Sequence, residues 1–402
     1  MTSPSSFLFL TTVNLTANPR LAKELDLAVR NGFSATVLLF RLGDWGDHND
    51  EELQGRFPTV RFIRLSALRS PFLPWLGASL GEKGARRLCR FIDRPSVNAM
   101  AVGKRYLPLR AAIRRLTGPF DWVIAHNPAA FHAAWLASRK FGARLGIDVE
   151  DYHPAETTDP VLSRATSSMM RHCLLAADYA SYASPLIREH CDRDVALPGG
   201  RGIEVQNWFP RSEFPVPAPS TSGPLRLVWF SQNISAGRGL ELVLPAIPRL
   251  AGTVELHLYG KVDPSFRSVW LEGVPHVVQH GPVSQRQLHA ALGAYDIGLA
   301  IDVLSDPNRD LVVTNKILAY LQAGLYLLVT ETRAQRLLMQ GFPAHGTLFP
   351  PEEKAFETLL GRVASDPSDM RERRLERYRA MSGHGWEQES EKLLRVWSGN
   401  SE

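Results

Sequence analysis

The stretch DLVVTNKILAYLQAGLYLLVT, Asp310–Thr330, reads as a polar turn, an amphipathic helix opening at Asn315-Lys316, a stop at Gly324 and a buried strand, LYLLVT. A helix followed at once by an apolar strand is the repeating unit of a parallel sheet covered on both faces. The first turn of such a helix carries backbone N–H groups without intrahelical partners and a partial positive charge. Lys316 adds a full charge there, so the turn is a seat for a phosphate group.

The same alternation extends outward. Upstream, LRLVWFSQ from Leu225 is a predicted strand, LELVLPAIPRL a helix and VELHLYG a strand, with a short strand in VPHVVQHGPV. QRQLHAALGAY then reads as a helix and DIGLAI as a strand. Downstream, the tail from about Pro351 to Trp397 is charged and helical. In the first half, FLFLTT, SATVLLF, VRFIRL, DWVIAHN and ARLGIDVED are strands. PRLAKELDLAVRNG and AAFHAAWLASRKFG are helices closed by Asn31-Gly32 and Gly142. The basic segment Leu68–Leu116 is helical in character and broken by Pro71, Pro74, Pro95 and Pro108. Between the halves, Asn207–Pro224 is dense in Pro and Ser, the composition of a linker. The reading is α/β: a Rossmann-like domain over 1–206, a linker over 207–224, a second Rossmann-like domain over 225–375, and a closing helix over 376–402.

A chain of 402 residues is too long for one ordinary core, and 44% apolar with 22% charged residues is a soluble composition. No apolar run reaches the roughly 18 residues that span a bilayer. Phe7–Leu10, with no basic residue before it, reads as a first strand and not a signal peptide. Cys89, Cys173 and Cys191 lack metal-site spacing, and reduced thiols of a cytoplasmic protein are the simplest account. The net charge of +5 conceals an asymmetry: Arg61–Arg115 holds thirteen Lys and Arg against Glu82 and Asp93, interleaved with Phe72, Leu73, Trp75, Leu80, Leu88 and Phe91. Such a surface suits anionic lipid headgroups at the inner face of a plasma membrane, or is a solvated helix face. No nucleic-acid-binding signature accompanies it.

Ligands of doubly wound sheets bind outside the carboxyl ends of the strands. The residues to inspect are therefore Asn14–Arg20, His126-Asn127, Asp148–His153, Ser231–Arg238, Gly260-Lys261, Asp302–Lys316 and Thr330–Thr332. Asp302, Asp306 and Asp310 do not have calcium-loop spacing.

In order and spacing these segments resemble the GT-B glycosyltransferases, and among them the large retaining family numbered 4. The second half carries the closest likeness: WFSQNISAGRGLELVLPAI with its Arg238-Gly239 pair, LYGKVD with Gly260 and Lys261, GPVSQRQLHAALGAYDIGLAI, QAGLYLLVT, and Trp386-Glu387 before the last helix. In the first half, DWVIAHNP and IDVEDYH are similar to the family's strand ends. The resemblance implies GT-B architecture, with two doubly wound Rossmann-like domains facing across a cleft and the C-terminal helix crossing back to the first.

It further implies a metal-independent hexosyltransferase-type enzyme that needs no cofactor. Its donor is a nucleoside-diphosphate sugar and its acceptor a glycan or lipid-linked molecule of surface polysaccharide or glycolipid synthesis. Ser231, Gly237, Arg238, Gly260, Lys261, Asn315, Lys316 and Glu331 are the implied donor-binding residues. His126, Asp151 and Glu150 are the implied catalytic ones, unless a carboxylate of that pair caps the following helix. Asn18 and Arg20 fall in the acceptor loop. One departure stands out. Many members carry two glutamates eight positions apart, and here those positions hold Leu311 and Ala319. The carboxylate for the donor ribose is absent, or replaced by Asp310 or Glu331. A non-catalytic protein that binds nucleotide or glycan or scaffolds an assembly enzyme, and a nucleotide-sugar epimerase, are the competing readings.

Overall fold

The computed structural model describes residues 5–43, 46–195, 201–218, 223–304 and 306–399, except the side chain of His48. Residues 219–222 of the expected linker lie outside them. The chain divides into two compact units, one of Met1–Gln206 with Lys392–Glu402 and the other of Asn207–Glu391.

In the first unit the strands are β1 (Ser6–Leu10), β2 (Ser34–Arg41), β3 (Arg61–Ser66), β4 (Trp122–His126), β5 (Arg144–Val149), β6 (Tyr179–Tyr182) and β7 (Gly202–Glu204). They form a seven-stranded parallel sheet in the order β3-β2-β1-β4-β5-β6-β7. Its helices are α1 (Pro19–Arg30), α2 (Gly46–Gly55), α3 (Phe72–Leu88), α4 (Pro95–Val102), α5 (Tyr106–Arg115), α6 (Pro128–Phe141), α7 (Pro160–Ala176) and α8 (Pro185–Asp194). The central strands are apolar throughout, with Phe7–Leu10 and Val123–Ala125 fully buried, as a sheet covered on both faces requires.

Two of the four prolines expected to break the basic segment do not. Pro74 and Pro108 sit in the first turns of α3 and α5, where the missing N–H has no helical acceptor to lose. The breaks fall at Pro71 and Pro95, which lie at the helix starts.

In the second unit β8 (Leu225–Ile234), β9 (Val254–Val262), β10 (Val277–His280), β11 (Ile297–Ala300), β12 (Tyr326–Thr330) and β13 (Gly346–Phe349) form a six-stranded parallel sheet, order β10-β9-β8-β11-β12-β13. The helices are α9 (Ala246–Arg249), the turn α10 (Pro264–Phe266), α11 (Gln285–Leu292), α12 (Asn315–Gln322), α13 (Arg333–Gln340), α14 (Glu353–Ser365), α15 (Ser368–Glu372), α16 (Arg374–Ala380) and the start of α17 (Trp386–Trp397), whose residues from Lys392 on belong to the first unit. The core gathers Leu227, Trp229, Leu256, Leu258, Leu299, Leu328 and Phe356.

Two local expectations differ here. The helix predicted over LELVLPAIPRL is only a 3-10 turn at Leu240–Leu242 and the one-turn α9, because Pro245 and Pro248 withhold N–H groups and clash with the preceding turn. Strands β8 and β9 also run on past the expected turns, pairing Asn233 with Lys261 and Ile234 with Val262 beyond an irregularity. Gly260 makes that extension possible. At φ 139° its hydrogen faces the Ser231 carbonyl oxygen, and a Cβ there would lie 1.9 Å from it.

Part of the Pro- and Ser-rich stretch is packed. Trp208, Phe209 and Phe214 are buried, and the Phe209 backbone exchanges two hydrogen bonds with the Gln322 side chain at 3.0 and 2.9 Å. In the returning C-terminal segment, Trp397 is 1% exposed within the first unit. Its Nε1 donates to the Tyr179 hydroxyl at 3.1 Å, and its ring meets Phe7 at 5.0 Å between centroids.

Candidate functional site

Both sheets reverse their strand order once, between β1 and β4 in the first and between β8 and β11 in the second. Such switch points are where doubly wound sheets bind ligands. Each switch point holds a cluster of charged side chains, and the two clusters are built differently.

At the first, α1 starts directly after the β1 loop, and its second residue, Arg20, points inward. Arg20 Nε lies 3.3 Å from Glu24 Oε1, and its Nη2 lies 3.2 Å from Asp148 Oδ1 on β5. His126 ends β4 between the same carboxylates, its Nδ1 3.1 Å from Asp148 Oδ2 and its Nε2 3.3 Å from Glu24 Oε2. The Ser181 hydroxyl donates to Asp148 Oδ1 at 2.6 Å. All four charged side chains are fully buried. Burial works against the imidazolium, but Glu24 and Asp148 outweigh it and raise the His126 pKa to about 10. Burial likewise opposes ionisation of Asp148, yet Arg20 and His126 hold it far below the usual carboxylate range. Two cations thus balance two anions.

Glu24, His126 and Asp148 are the one acid–histidine group among the described residues whose ligand atoms lie close enough to share a metal ion. Arg20 bonds to both of its carboxylates, so the group fits a closed ion-pair network better than a metal site.

This arrangement corrects three expectations. His126 does not face a sugar, since both ring nitrogens are held by carboxylates. Arg20 is a buried partner in the network, not a contact for an acceptor. Asn18 is the cap of α1, its Oδ1 accepting from the Leu21 N–H at 3.0 Å, and it is 2% exposed. The turn that follows β4 is fixed as well. Asn127 takes φ 69°, an uncommon conformation for a residue with a side chain, and its Oδ1 accepts from the Thr11 hydroxyl at 2.7 Å.

Glu150 and Asp151 follow β5 and are partly exposed. Neither caps a helix: Asp159 caps α7, accepting from the Val161 N–H at 2.9 Å. Burial of its carboxyl, with the adjacent Asp148 charge, raises Glu150 to about 7. The Lys23 ammonium nearby is lowered to about 7, by burial first and Arg20 second.

At the second switch point, Arg238 lies in the loop after β8, Arg309 in a 3-10 turn after β11 (Pro307–Asp310), and Lys316 in the first turn of α12. The N-cap residue of α12, Thr314, does not cap it with its side chain. The Thr314 hydroxyl at its N-cap donates instead to Asp302 Oδ2 at 3.2 Å. Asp302 also accepts from Gln335 Nε2 at 2.5 Å, which ties the end of β11 to α13. Lys316 is half-buried, with its Nζ 5.5 Å from the centre of the Trp229 ring. Burial lowers its pKa. Asp302 opposes that, and charge repulsion from Arg238 and Arg309 adds to it. Arg309 is in turn paired with Asp306, Nε to Oδ2 at 3.9 Å, so the site gathers three cations and two carboxylates at the start of α12, a candidate anion seat by charge and by dipole.

Other expected donor residues are placed differently. Ser231, Gly260 and Lys261 lie inside paired strands and not in strand-end loops, because β8 and β9 continue past them. Lys261 is exposed and Asn315 is the exposed first residue of α12. The Gly237 N–H donates to Glu241 Oε1 at 2.6 Å, so a carboxylate already occupies that donor. Both acids considered as replacements for the missing glutamates are engaged: Asp310 accepts from the Arg333 N–H at 2.7 Å, and Glu331 lies 2.8 Å from Arg336. Leu311 and Ala319 are buried, 3% and 0% exposed. Arg309 and Asp302 fell within the Asp302–Lys316 stretch to inspect, but neither was among the implied donor-binding residues. The charge alternation DPNRD is all that marks Arg309 there.

No protein-family model and no curated protein matches this chain. Solved structures do. HepE from Anabaena, in complex with UDP, superposes with a TM-score of 0.68 at 13% identity, covering 98% of this chain and 100% of that one. Sucrose-phosphate synthase from Thermosynechococcus elongatus gives 0.67 at 14% identity, with 98% of each chain covered. A putative UDP-N-acetylglucosamine 2-epimerase from Listeria monocytogenes gives 0.58 at 14% identity, covering 99% and 98%. The chain has the two-domain GT-B fold, with its two Rossmann-like sheets of seven and six strands.

Proposed function

We propose that this chain is a metal-independent, retaining glycosyltransferase that takes a nucleoside-diphosphate sugar and glycosylates a glycan or lipid-linked acceptor in surface polysaccharide or glycolipid synthesis. The observation that carries the reading is the convergence of Arg238, Arg309 and Lys316 at the uncapped start of α12. Sugar transfer breaks the bond between the anomeric carbon and the diphosphate, whose negative charge grows as it leaves. Fixed cations and N–H groups facing that charge lower the barrier most. Arg238 and Arg309 present planar forks for two oxygens each, and Lys316 acts as a point charge. The UDP in the Anabaena HepE complex supports a nucleoside diphosphate as the ligand class.

In the first unit we assign the acceptor hydroxyl's proton to Glu150, with Asp151 as second choice. A carboxyl held at about 7 by burial and by Asp148 can take up a proton near neutral pH. His126 is left with a positioning role, since it fixes Asp148. Among the described residues no helix is long and apolar enough to cross a membrane. Work on a lipid-linked acceptor at the cytoplasmic face of the plasma membrane would rest on surface contact.

The test is nucleotide release from a panel of UDP-, GDP- and ADP-sugars, with acceptor extracts, for wild type, Arg238→Ala and Lys316→Ala. Release that depends on acceptor and collapses in both variants is expected. Full activity in both variants would refute the site. One observation favours a second reading, nucleotide binding without transfer: Leu311 and Ala319 are buried apolar residues, and Asp310 and Glu331 are already paired. A melting-temperature rise with UDP, and no turnover with any donor, would select it.

A further inference from the structure

The surface of the first unit carries an apolar stripe that the transferase reading leaves unused. Six of the thirteen large hydrophobic side chains exposed among the described residues fall between residues 72 and 92: Phe72, Leu73, Leu80, Leu88, Phe91 and Ile92. Phe91 is 86% exposed and Leu73 77%, values that no packing requirement of the fold explains. The others are scattered, which is ordinary for a surface.

Helix geometry aligns three of these six. In α3, Leu73, Gly77, Leu80, Gly84 and Leu88 recur at spacings of three and four and share one face, and all five are exposed. Away from this face Ala78 and Ala85 are buried, Ala85 in a cluster with Ala101 of α4. Lys83 and Arg87 lie along one flank of the stripe, and Arg90 and Arg94 continue it beyond the helix end. None of these four cations has a carboxylate within ion-pair distance among the described residues, whereas Arg86 bonds Glu82 at 2.8 Å. At the other end, Trp75 is half-buried beneath the Arg69 guanidinium, 5.2 Å from its ring, and the Lys104 ammonium, 5.8 Å from it.

We propose that the α3 stripe and the Phe91 turn are a docking surface for an anionic lipid bilayer. The helix lies flat, with Leu73, Leu80, Leu88 and Phe91 entering the acyl boundary while Lys83, Arg87, Arg90 and Arg94 reach phosphate headgroups. Charge complementarity selects this occupant. A protein partner would require acids to meet these cations while leaving an apolar core, and nucleic acid gains nothing from exposed leucines. Two exposed glycines on the same face, Gly77 and Gly84, let the helix axis approach the surface closely. The inference does not depend on the transferase reading, because vesicle binding is measured without donor or acceptor.

The experiment is co-flotation of the full chain with phosphatidylcholine vesicles, with and without phosphatidylglycerol. Binding only to the anionic vesicles, weakened by salt, is expected. Lys83→Ala, Arg87→Ala and Arg90→Ala combined should lower affinity on the order of a hundredfold. Leu73→Ser with Phe91→Ser should lower it roughly tenfold or more without restoring binding to neutral vesicles. All five positions are solvent-exposed, and an unchanged melting temperature shows that the variants fold. No flotation of the wild type, equal flotation with neutral vesicles, or full binding by both variants would overturn the proposal. So would vesicle binding outcompeted by duplex DNA, or a dimer that dissociates in Leu73→Ser.

Discussion

Two switch points in one molecule hold charged clusters of opposite design. Around Arg20 and His126, two cations face two carboxylates, every side chain is buried, and ion-pair contacts of 3.1–3.3 Å link all four. Around Lys316, three cations meet Asp302 and Asp306 at a helix start that its N-cap residue, Thr314, leaves uncapped. Position in the fold is the same in both, so position alone does not make a ligand site. The second cluster differs in its excess of positive charge, three cations to two carboxylates. The first cluster reads as a rivet that holds β4, β5 and α1 together, the second as a seat for an anion.

The contrast can be broken most forcefully at the rivet. Arg20→Met would leave Glu24 and Asp148 buried with a single cation, and loss of one partner of such a network costs about 3–5 kcal/mol. Urea unfolding should show that loss, while UDP affinity of the folded variant stays at the wild-type value. A destabilisation below about 1 kcal/mol would mean that the network is no more than a surface-grade ion pair.

The seat should behave in the opposite way. Lys316→Ala is expected to weaken UDP by about 1.5–3 kcal/mol, the worth of a hydrogen bond to a charged group, with little change in melting temperature. Titration calorimetry beside thermal unfolding reads both quantities on one sample.

A smaller effect sharpens the rivet through pH. The folded His126 pKa of about 10 lies above the ordinary 6.5, so its contribution to stability is complete below pH 6.5 and is lost as pH rises through 10. Lys23, lowered from 10.5 to about 7, titrates in the same window with the opposite sign. The informative quantity is therefore the stability difference between wild type and His126→Gln. It should be largest at or just below pH 6.5 and shrink toward pH 10. A difference independent of pH would show that the imidazole is neutral in the folded protein.

The smallest expected change is a gain. Glu241 takes the Gly237 N–H next to Arg238. Glu241→Ala frees that donor and removes a negative charge, and UDP should bind tighter by roughly 0.5–1 kcal/mol. Weaker binding would instead assign Glu241 to holding the loop in shape.

Much of the architecture was legible because it rests on local pattern. Alternating apolar strands and capped helices marked both sheets, and the Asn315–Gln322 helix with its Lys316 start stands as read. Two cations of the proposed seat, Arg238 and Lys316, were visible as charges at turns. Arg309 was not, because its approach to Lys316 depends on the 3-10 turn after β11, which no periodicity announces. The rivet was hidden for a related reason. Arg20 and Glu24 are a visible i,i+4 pair that looks like a helix surface, and only the partners on β4 and β5, more than a hundred residues on, turn it inward. His126 and Arg20 therefore looked open to ligand when in fact they satisfy each other's neighbours. At Ser231 and Gly260 the misreading was of strand length, since a glycine before a lysine resembles a strand end when no partner strand is visible.

The central claim is that the Arg238–Arg309–Lys316 cluster holds a diphosphate. Titration of the full chain with UDP and with uridine, at low and at moderate salt, tests it most directly. The account predicts that UDP binds, that uridine binds at least tenfold more weakly, and that salt weakens UDP alone. Equal affinity for UDP and uridine, unaffected by salt, would contradict it.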